Sequence, residues 1–422
     1  MLGRLGWILR GCQRRLWFRA TLFSLAGVAT ALLALLLRDH IPATLPAKVG
    51  ADAVDKILTI IASSMLAVTT FSLSTMVTAY NAAASSVTPR AYPLLLEDST
   101  TQNALATFLG SFLFSLVGII ALSTGLYGDN GRVVLFAVTL VVILLIVFTL
   151  LRWIDHLSRL GQLDATSDSI EAAAQRSLER WLSVPHLGGV AAPRDQAPAG
   201  RPVLADRTGY LQRVDMPLLA DLCGEQGRLR LAVLPGAFVD PAQPLLWVEG
   251  LAPERDERLR AAFILDARRL HDQDPRFGLT VLGEIATGAL VPSRSDSGTA
   301  IAILGRAQRL LTSLTEVREP VEPHYPRIEV PELSLDDLFD DFFLPVGRDA
   351  APLVEVGMRL QKSLARLAVQ GDVRMKRECL RHSRLALARA EAALGQAEDR
   401  AILQQLAADV ERLCVPETAG TV

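Results

Sequence analysis

The sequence predicts a multi-span α-helical membrane domain of four transmembrane helices, followed by a cytoplasmic α+β domain and a C-terminal helical region. Three observations predict it. Long apolar runs dominate as far as Leu151 and then vanish, residues 57–89 contain no Asp, Glu, Lys or Arg, and beyond a Gly, Pro and Ala-rich stretch at 188–202 the pattern turns to short strand-like segments. The expected layout is a membrane domain at 1–153 with spans at about 18–37, 57–82, 102–127 and 133–152. A connecting helix at 154–187, an α+β domain at 203–330 and a helical region at 331–415 follow it. Mean hydropathy is +0.30, and a formal charge of -2 over 422 residues gives no footing for a nucleic-acid partner. Cys12, Cys223, Cys379 and Cys414 are too scattered for a disulfide framework or a CxxC site, which suits a cytoplasmic soluble part.

The first span follows Arg4, Arg10, Arg14, Arg15 and Arg19, a basic head that holds the amino terminus inside. Residues 38–56 then form a short outer connection around Pro42 and Pro46. Asp39, His40, Asp52 and Asp55 either gather there at an outer mouth or sit in a solvated loop. The second span is long enough to cross a bilayer yet unusually polar. Thr59, Ser63, Thr70, Ser74, Thr78, Asn81 and Ser85 fall within an arc of about 100° on a helix, with Leu58, Ile61, Met65, Leu66, Val68, Leu73 and Met76 on the other side. Such a face either packs against helices through small residues and hydrogen bonds or lines water in several copies.

Pro89 and Pro93 stop that helix, and Glu97 and Asp98 before Thr100 and Thr101 read as a cap for the third span. Gly110, Ser111, Ser115 and Gly118 give the third span a small-residue face for close packing. GDNGR at 128–132 reads as a tight turn, and 133–151 as a fourth span facing lipid. Eight Arg fall on the inner side of this arrangement against four Arg and Lys outside, which places both termini in the cytoplasm.

In the soluble part, 210–215, 229–236 and 244–250 read as strands, with a short helix at 216–227 and a longer one at 253–270. A helix at 279–290 is flanked by Arg268, Arg269, Asp274, Arg276, Asp296 and Thr299. That cluster is either a grip for a small ligand or an ordinary charged joint between helices. DDLFDDFF at 336–343 reads as an acidic amphipathic helix for docking, and from Pro352 onward two long helical patterns follow.

Three stretches carry a resemblance: SSVTPRAYPLLLEDSTTQNALATFLGSFLFSL at 85–116, GYLQRVD at 209–215, and DPRFGLTVLGEIATGALVPSRSDSGTAIAILGRAQRLL at 274–311. Their order resembles the DUF2254 family of uncharacterised bacterial membrane proteins. This chain departs from the family pattern at Thr88, where SPR is usual, and around 290–297, where Pro292 and Asp296 remain but a Gly and a second Pro are replaced. The resemblance implies an architecture in the bacterial inner membrane and carries no activity with it.

Function is read from the polar helix. A homo-oligomeric channel for small ions would line its path with Thr59, Ser63, Thr70, Ser74, Thr78 and Asn81, constrict it at Leu66 or Phe71 by dewetting, and carry a cytoplasmic regulatory domain. A membrane-anchored sensor or scaffold would use the same face only to pack subunits, and a small-solute transporter or membrane enzyme is the third reading. The expected partners are the lipid bilayer, other copies of the chain and small ions. No phosphate-binding loop, dinucleotide fingerprint, zinc motif or nucleophile elbow occurs, so no catalytic, cofactor or metal residue is assigned.

Overall fold

The computed structural model describes residues 16–36, 51–86, 88–90, 99–124, 128–159, 163–193, 196–316 and 318–415. The chain divides into two compact units, Met1–Thr166 and Ser167–Val422.

The first unit holds α1 (Leu16–Leu36), α2 (Ala51–Ser86), α3 (Ser99–Ser123) and α4 (Gly128–Arg159). Three helices among the described residues are long and apolar enough to cross a membrane, at Ala53–Asn81, Thr100–Ser123 and Arg132–Ser158. The expected span at 18–37 is present as the helix α1, with a described apolar stretch at Ala20–Thr30. Residues 38–50, with Asp39 and His40, lie outside the described residues, whereas Asp52 and Asp55 belong to the first turns of α2.

The third helix is central: 56% of its span is buried, against 22% for α2 and 17% for α4. Its small residues explain the position. A Cβ on Gly110 would stand 2.9 Å from the Phe23 carbonyl oxygen, and one on Gly27 would stand 2.6 Å from the Gly110 oxygen, so α1 and α3 cross backbone to backbone. Gly118 meets Leu58 and Leu135 from the two other neighbours, and Ser111 and Ser115 are buried on the same helix. The outer side of α4, with Val141, Leu144, Phe148 and Leu151 all exposed, is apolar throughout, as a lipid-facing surface requires.

Two local expectations differ here. GDNGR is the first turn of α4, not a loop. The third helix begins at Ser99, so Thr100 and Thr101 lie inside it. Thr101 is fully buried and its hydroxyl meets His156 Nε2 on α4 at 3.2 Å. Glu97 and Asp98 lie outside the described residues.

In the second unit, α5 (Leu163–Ser183) leads into a β region. Its elements are β1 (Val190–Ala191), β2 (Arg201–Leu204), β3 (Gly209–Val214), α6 (Met216–Cys223), β4 (Arg228–Leu231), β5 (Phe238–Val239), β6 (Pro244–Glu249), α7 (Asp256–Arg260), β7 (Phe263–Asp266) and, after two helices, β8 (Ile328–Val330). One sheet has the order β1-β8-β4-β6-β2 and the other β5-β3-β7. The strand β8 runs parallel to both its neighbours and the remaining pairs are antiparallel. At the outer edge of the larger sheet, β2 carries Pro202 and its Arg201 pairs with Asp256 at 2.5 Å. Inward residues of both sheets, Leu211, Val239, Leu229, Leu246 and Ile328 among them, join Leu219 of α6 in one core. The long helix expected at 253–270 stops at Arg260, because Phe263–Asp266 pairs with β3, Val214 opposite Phe263.

The remaining helices are α8 (Phe277–Leu290), α9 (Ser297–Thr312), α10 (Leu335–Asp349), α11 (Val354–Gln370), α12 (Val373–Ala393) and α13 (Ala397–Cys414). The second of the two expected C-terminal helices is thus broken into α12 and α13 at Gly395. These six pack on one another, α8 against α9 and α10, α9 against α11, and α10 against α12. Helices from either side of residue 330, α8 and α10, pack together, and residues 188–202 hold β1 and the start of β2.

Candidate functional site

The polar face of α2 has a definite place in its own unit. Thr59, Ser63, Thr70, Ser74, Thr78 and Asn81 are all exposed, while Val54, Leu58, Ile61, Met65, Met76 and Tyr80 turn inward. The six residues therefore lie on the side away from the other helices of the unit. Three of the hydroxyls bond back to their own helix: Ser63 donates to the Thr59 carbonyl at 2.9 Å, Thr70 to Leu66 at 3.0 Å and Thr78 to Ser74 at 3.0 Å. Leu66 and Phe71 are exposed at 50% and 66%, and at about 100° per residue they stand at the two margins of the polar arc. The inward and outward division differs from the expectation at two residues, since Leu66 and Leu73, placed on the opposite side by the sequence, are exposed beside the stripe.

A second polar feature of the first unit gave no signal in the sequence. Ser72 is buried on the inward side of α2 and accepts from Trp153 Nε1 at 3.0 Å, and the Trp153 ring lies 5.8 Å from His156. Together with Thr101 these side chains form a buried polar joint between α2, α3 and α4. The residues come from three distant segments, which is why spacing along the chain does not reveal them.

The six residues expected to grip a ligand in the second unit divide into two places. At the start of α8, Asp274 is 1% exposed and its carboxylate accepts from the Phe277 and Arg276 backbone N–H groups, both at 3.1 Å, while Arg269 pairs with it at 2.8 Å. Burial pushes the Asp274 carboxyl above the usual range, against the pull of Arg269 and the two amides. Arg276 reaches α10 instead, donating to Asp341 through Nε at 2.8 Å and to Asp337 through a terminal nitrogen at 2.6 Å. Arg268 contributes its carbonyl oxygen, which accepts from the Gln212 amide at 2.7 Å. The other two residues stand beyond the far end of α8, about 20 Å along the helix, where Asp296 caps α9 by accepting from the Thr299 N–H at 2.9 Å and hydroxyl at 2.6 Å. The helix that the sequence placed at the middle of the cluster is what holds its two ends apart.

The acidic helix is the counterpart of this joint. In α10, Phe339, Phe342 and Phe343 are buried, Asp337 and Asp341 hold Arg276, and Asp336 and Asp340 face Arg377 and Arg381 of α12 at 3.0 and 2.6 Å. Its docking partners are thus inside its own unit. No group of three or more His, Cys, Asp or Glu able to hold a metal ion occurs among the described residues.

The family model described as "Predicted membrane protein (DUF2254)" matches residues 13–366. Uncharacterized proteins of Mycobacterium tuberculosis H37Rv and Mycobacterium bovis are each 26% identical to this chain over 261 residues, covering 59% of it and 50% of their own length. The chain spans about half the length of these curated relatives. No solved structure matches.

Proposed function

The chain belongs to the DUF2254 family of predicted membrane proteins, and from that premise we propose that it forms a homo-oligomeric channel for small ions in the bacterial inner membrane. One observation carries the reading: all six polar residues of the α2 stripe are exposed and turned away from the helices of their own unit. Four closely packed helices leave no water column among themselves, but a closed symmetric ring of copies brings identical faces around one axis. In such a ring the back-bonded hydroxyls of Ser63, Thr70 and Thr78 present lone pairs to the axis, and Leu66 and Phe71 supply apolar collars that stop flow by dewetting. The second unit is then a cytoplasmic regulatory part, with both termini on that side.

A scaffold reading has its own support. The same back-bonds satisfy the hydroxyl donors within the helix, which lets the face pack against another subunit without water. Conductance separates the two. Full-length protein reconstituted in planar bilayers is expected to pass current, and Thr70→Leu is expected to reduce unitary current by about half or more, as a polar-to-apolar change in a narrow path does. Leu144→Ala, at a side chain 70% exposed on the outer side of α4, is expected to leave it unchanged. Silent bilayers with intact, correctly folded oligomers would leave the scaffold reading.

A further inference from the structure

The second unit contains a cavity of about 320 Å³, lined in part by Arg213 and Val214 of the GYLQRVD stretch. It lies among the last two turns of α5, the β3–α6 junction, the 272–273 turn and the 324–325 segment. Its volume is at the small end of the range for ligand pockets, about 300–1,000 Å³.

The lining has two characters. Trp181, Tyr325 and Met216 give an aromatic and apolar wall. Against it stand Arg180, Arg213 and Ser177. Ser177 is 3% exposed and its hydroxyl has no hydrogen-bond partner, an uncommon state for a buried polar atom. Arg213 has no ion pair or side-chain hydrogen bond among the described residues. Arg180 donates to the Asp272 backbone carbonyl at 2.6 Å, a neutral acceptor that leaves its charge uncompensated by that bond. Asp272 also lines the cavity.

The backbone holds this arrangement in place. The β3 register shifts between Leu211 and Arg213, and such a bulge re-aims the side chains beside it. Gln212 is tied down by its bond to the Arg268 carbonyl, and Val214 N–H donates to Gln273 Oε1 at 3.1 Å. On the other wall His186, Leu187 and Gly188 have successive φ values of 52°, 55° and 83°, a run that costs backbone energy for the two non-glycine residues. That turn brings Gly188 so near the Tyr325 ring that an added Cβ would sit 3.3 Å from it, and the Tyr325 N–H donates to the Gly188 carbonyl at 2.8 Å. The aromatic wall is therefore fixed by backbone, not by a mobile side-chain contact.

We propose that this cavity binds a small organic anion, with one phosphate or carboxylate group held by Arg180 and Arg213 and a flat or apolar body lying against Trp181 and Tyr325. Guanidinium groups match both anions in charge and geometry, and the wall gains only when an apolar body covers it. Inorganic phosphate leaves that wall wet. The inference concerns the second unit alone and stands whether or not the chain conducts ions.

The test uses the full chain in detergent and isothermal titration with four probes: adenosine monophosphate, indole-3-acetate, adenosine and inorganic phosphate. At least one of the two organic anions is expected to saturate one site per chain, about tenfold or more tighter than inorganic phosphate or adenosine. Which anion it is distinguishes a phosphate ligand from a carboxylate one. Arg213→Ala is expected to weaken that binding about tenfold or more with the melting temperature unchanged, because Arg213 holds nothing else, and Arg213→Lys to recover part of it. The proposal is overturned if neither organic anion binds, if inorganic phosphate binds as tightly, or if Arg213→Ala leaves the affinity as it was.

Discussion

His382 sits 2% exposed on α12 beside the Phe339 and Phe343 rings, with Asp340 at 3.2 Å from its Nε2. Burial and the neighbouring Arg381 bring its pKa from the usual 6.5 to about 4, against the pull of Asp340. His271, packed 4.4 Å from the Phe277 ring, falls to about 4 as well, mainly by burial. A folded-state pKa below the unfolded one favours the neutral ring, so this stability is present above pH 6.5 and is lost as the pH falls through the window down to about 4. Thermal melts of the full chain are expected to show the second unit losing stability between pH 7 and pH 5, and His382→Phe is expected to flatten that slope. An unchanged slope in His382→Phe rejects the role of this ring. At Arg276 the expected effect is on packing: Arg276→Met leaves Asp337 and Asp341 without their shared partner and is expected to cost about 1–3 kcal/mol in a denaturant titration. Apart from His271 and Phe277, which are close in the chain, these residue-level partnerships were not legible beforehand, because each joins segments far apart in the chain, such as Arg276 with Asp341 and Asp340 with Arg381.

At the scale of elements, glycine positions set how near the helices come. A Cβ on Gly278 would stand 2.1 Å from the Ala174 Cβ, so α8 and α5 touch at a point that admits no side chain. Gly278→Val is expected to destabilise the second unit by about 1–3 kcal/mol through overpacking. Gly395→Ala, with nothing within 4 Å of an added Cβ, serves as its control. Equal melting temperatures for the two variants would refute this account of the crossing. Elements whose pattern is local were legible: the apolar runs of α2, α3 and α4, the small face of α3, and strands β3, β4 and β6 each have their period written in consecutive residues. The errors fell where a partner decides. PERDERLR begins with acids as a helix should, yet Phe263–Asp266 is drawn into a sheet by β3, and GDNGR has turn chemistry but continues into α4.

For the whole molecule, the outward face of α2 was legible as a stripe, since six polar residues within one arc need only a ruler of about 100° per residue. Its isolation from the other helices of the unit was not, because that depends on which side α3 takes. The ligand cavity was illegible for the same reason, its walls being drawn from four separated segments. Topology is the property that charge along the chain does address. In intact cells a cysteine at Asn130 is expected to react with an impermeant thiol reagent, while one at Val373, 83% exposed at the start of α12, is expected to stay unlabelled until the cells are opened. Labelling of Val373→Cys in unopened cells would reverse the assigned orientation.

The brevity of the outermost strands has a consequence for how copies of this chain can recognise one another. In the larger sheet one border is the two-residue β1 and the other is β2, where Pro202 has no N–H to offer and Arg201 is held by Asp256. In the smaller sheet one border, β5, is again two residues long. These three borders give an incoming strand little ladder to extend. In a closed ring of the kind proposed above, subunits would then meet through helix faces and not through these short strand borders.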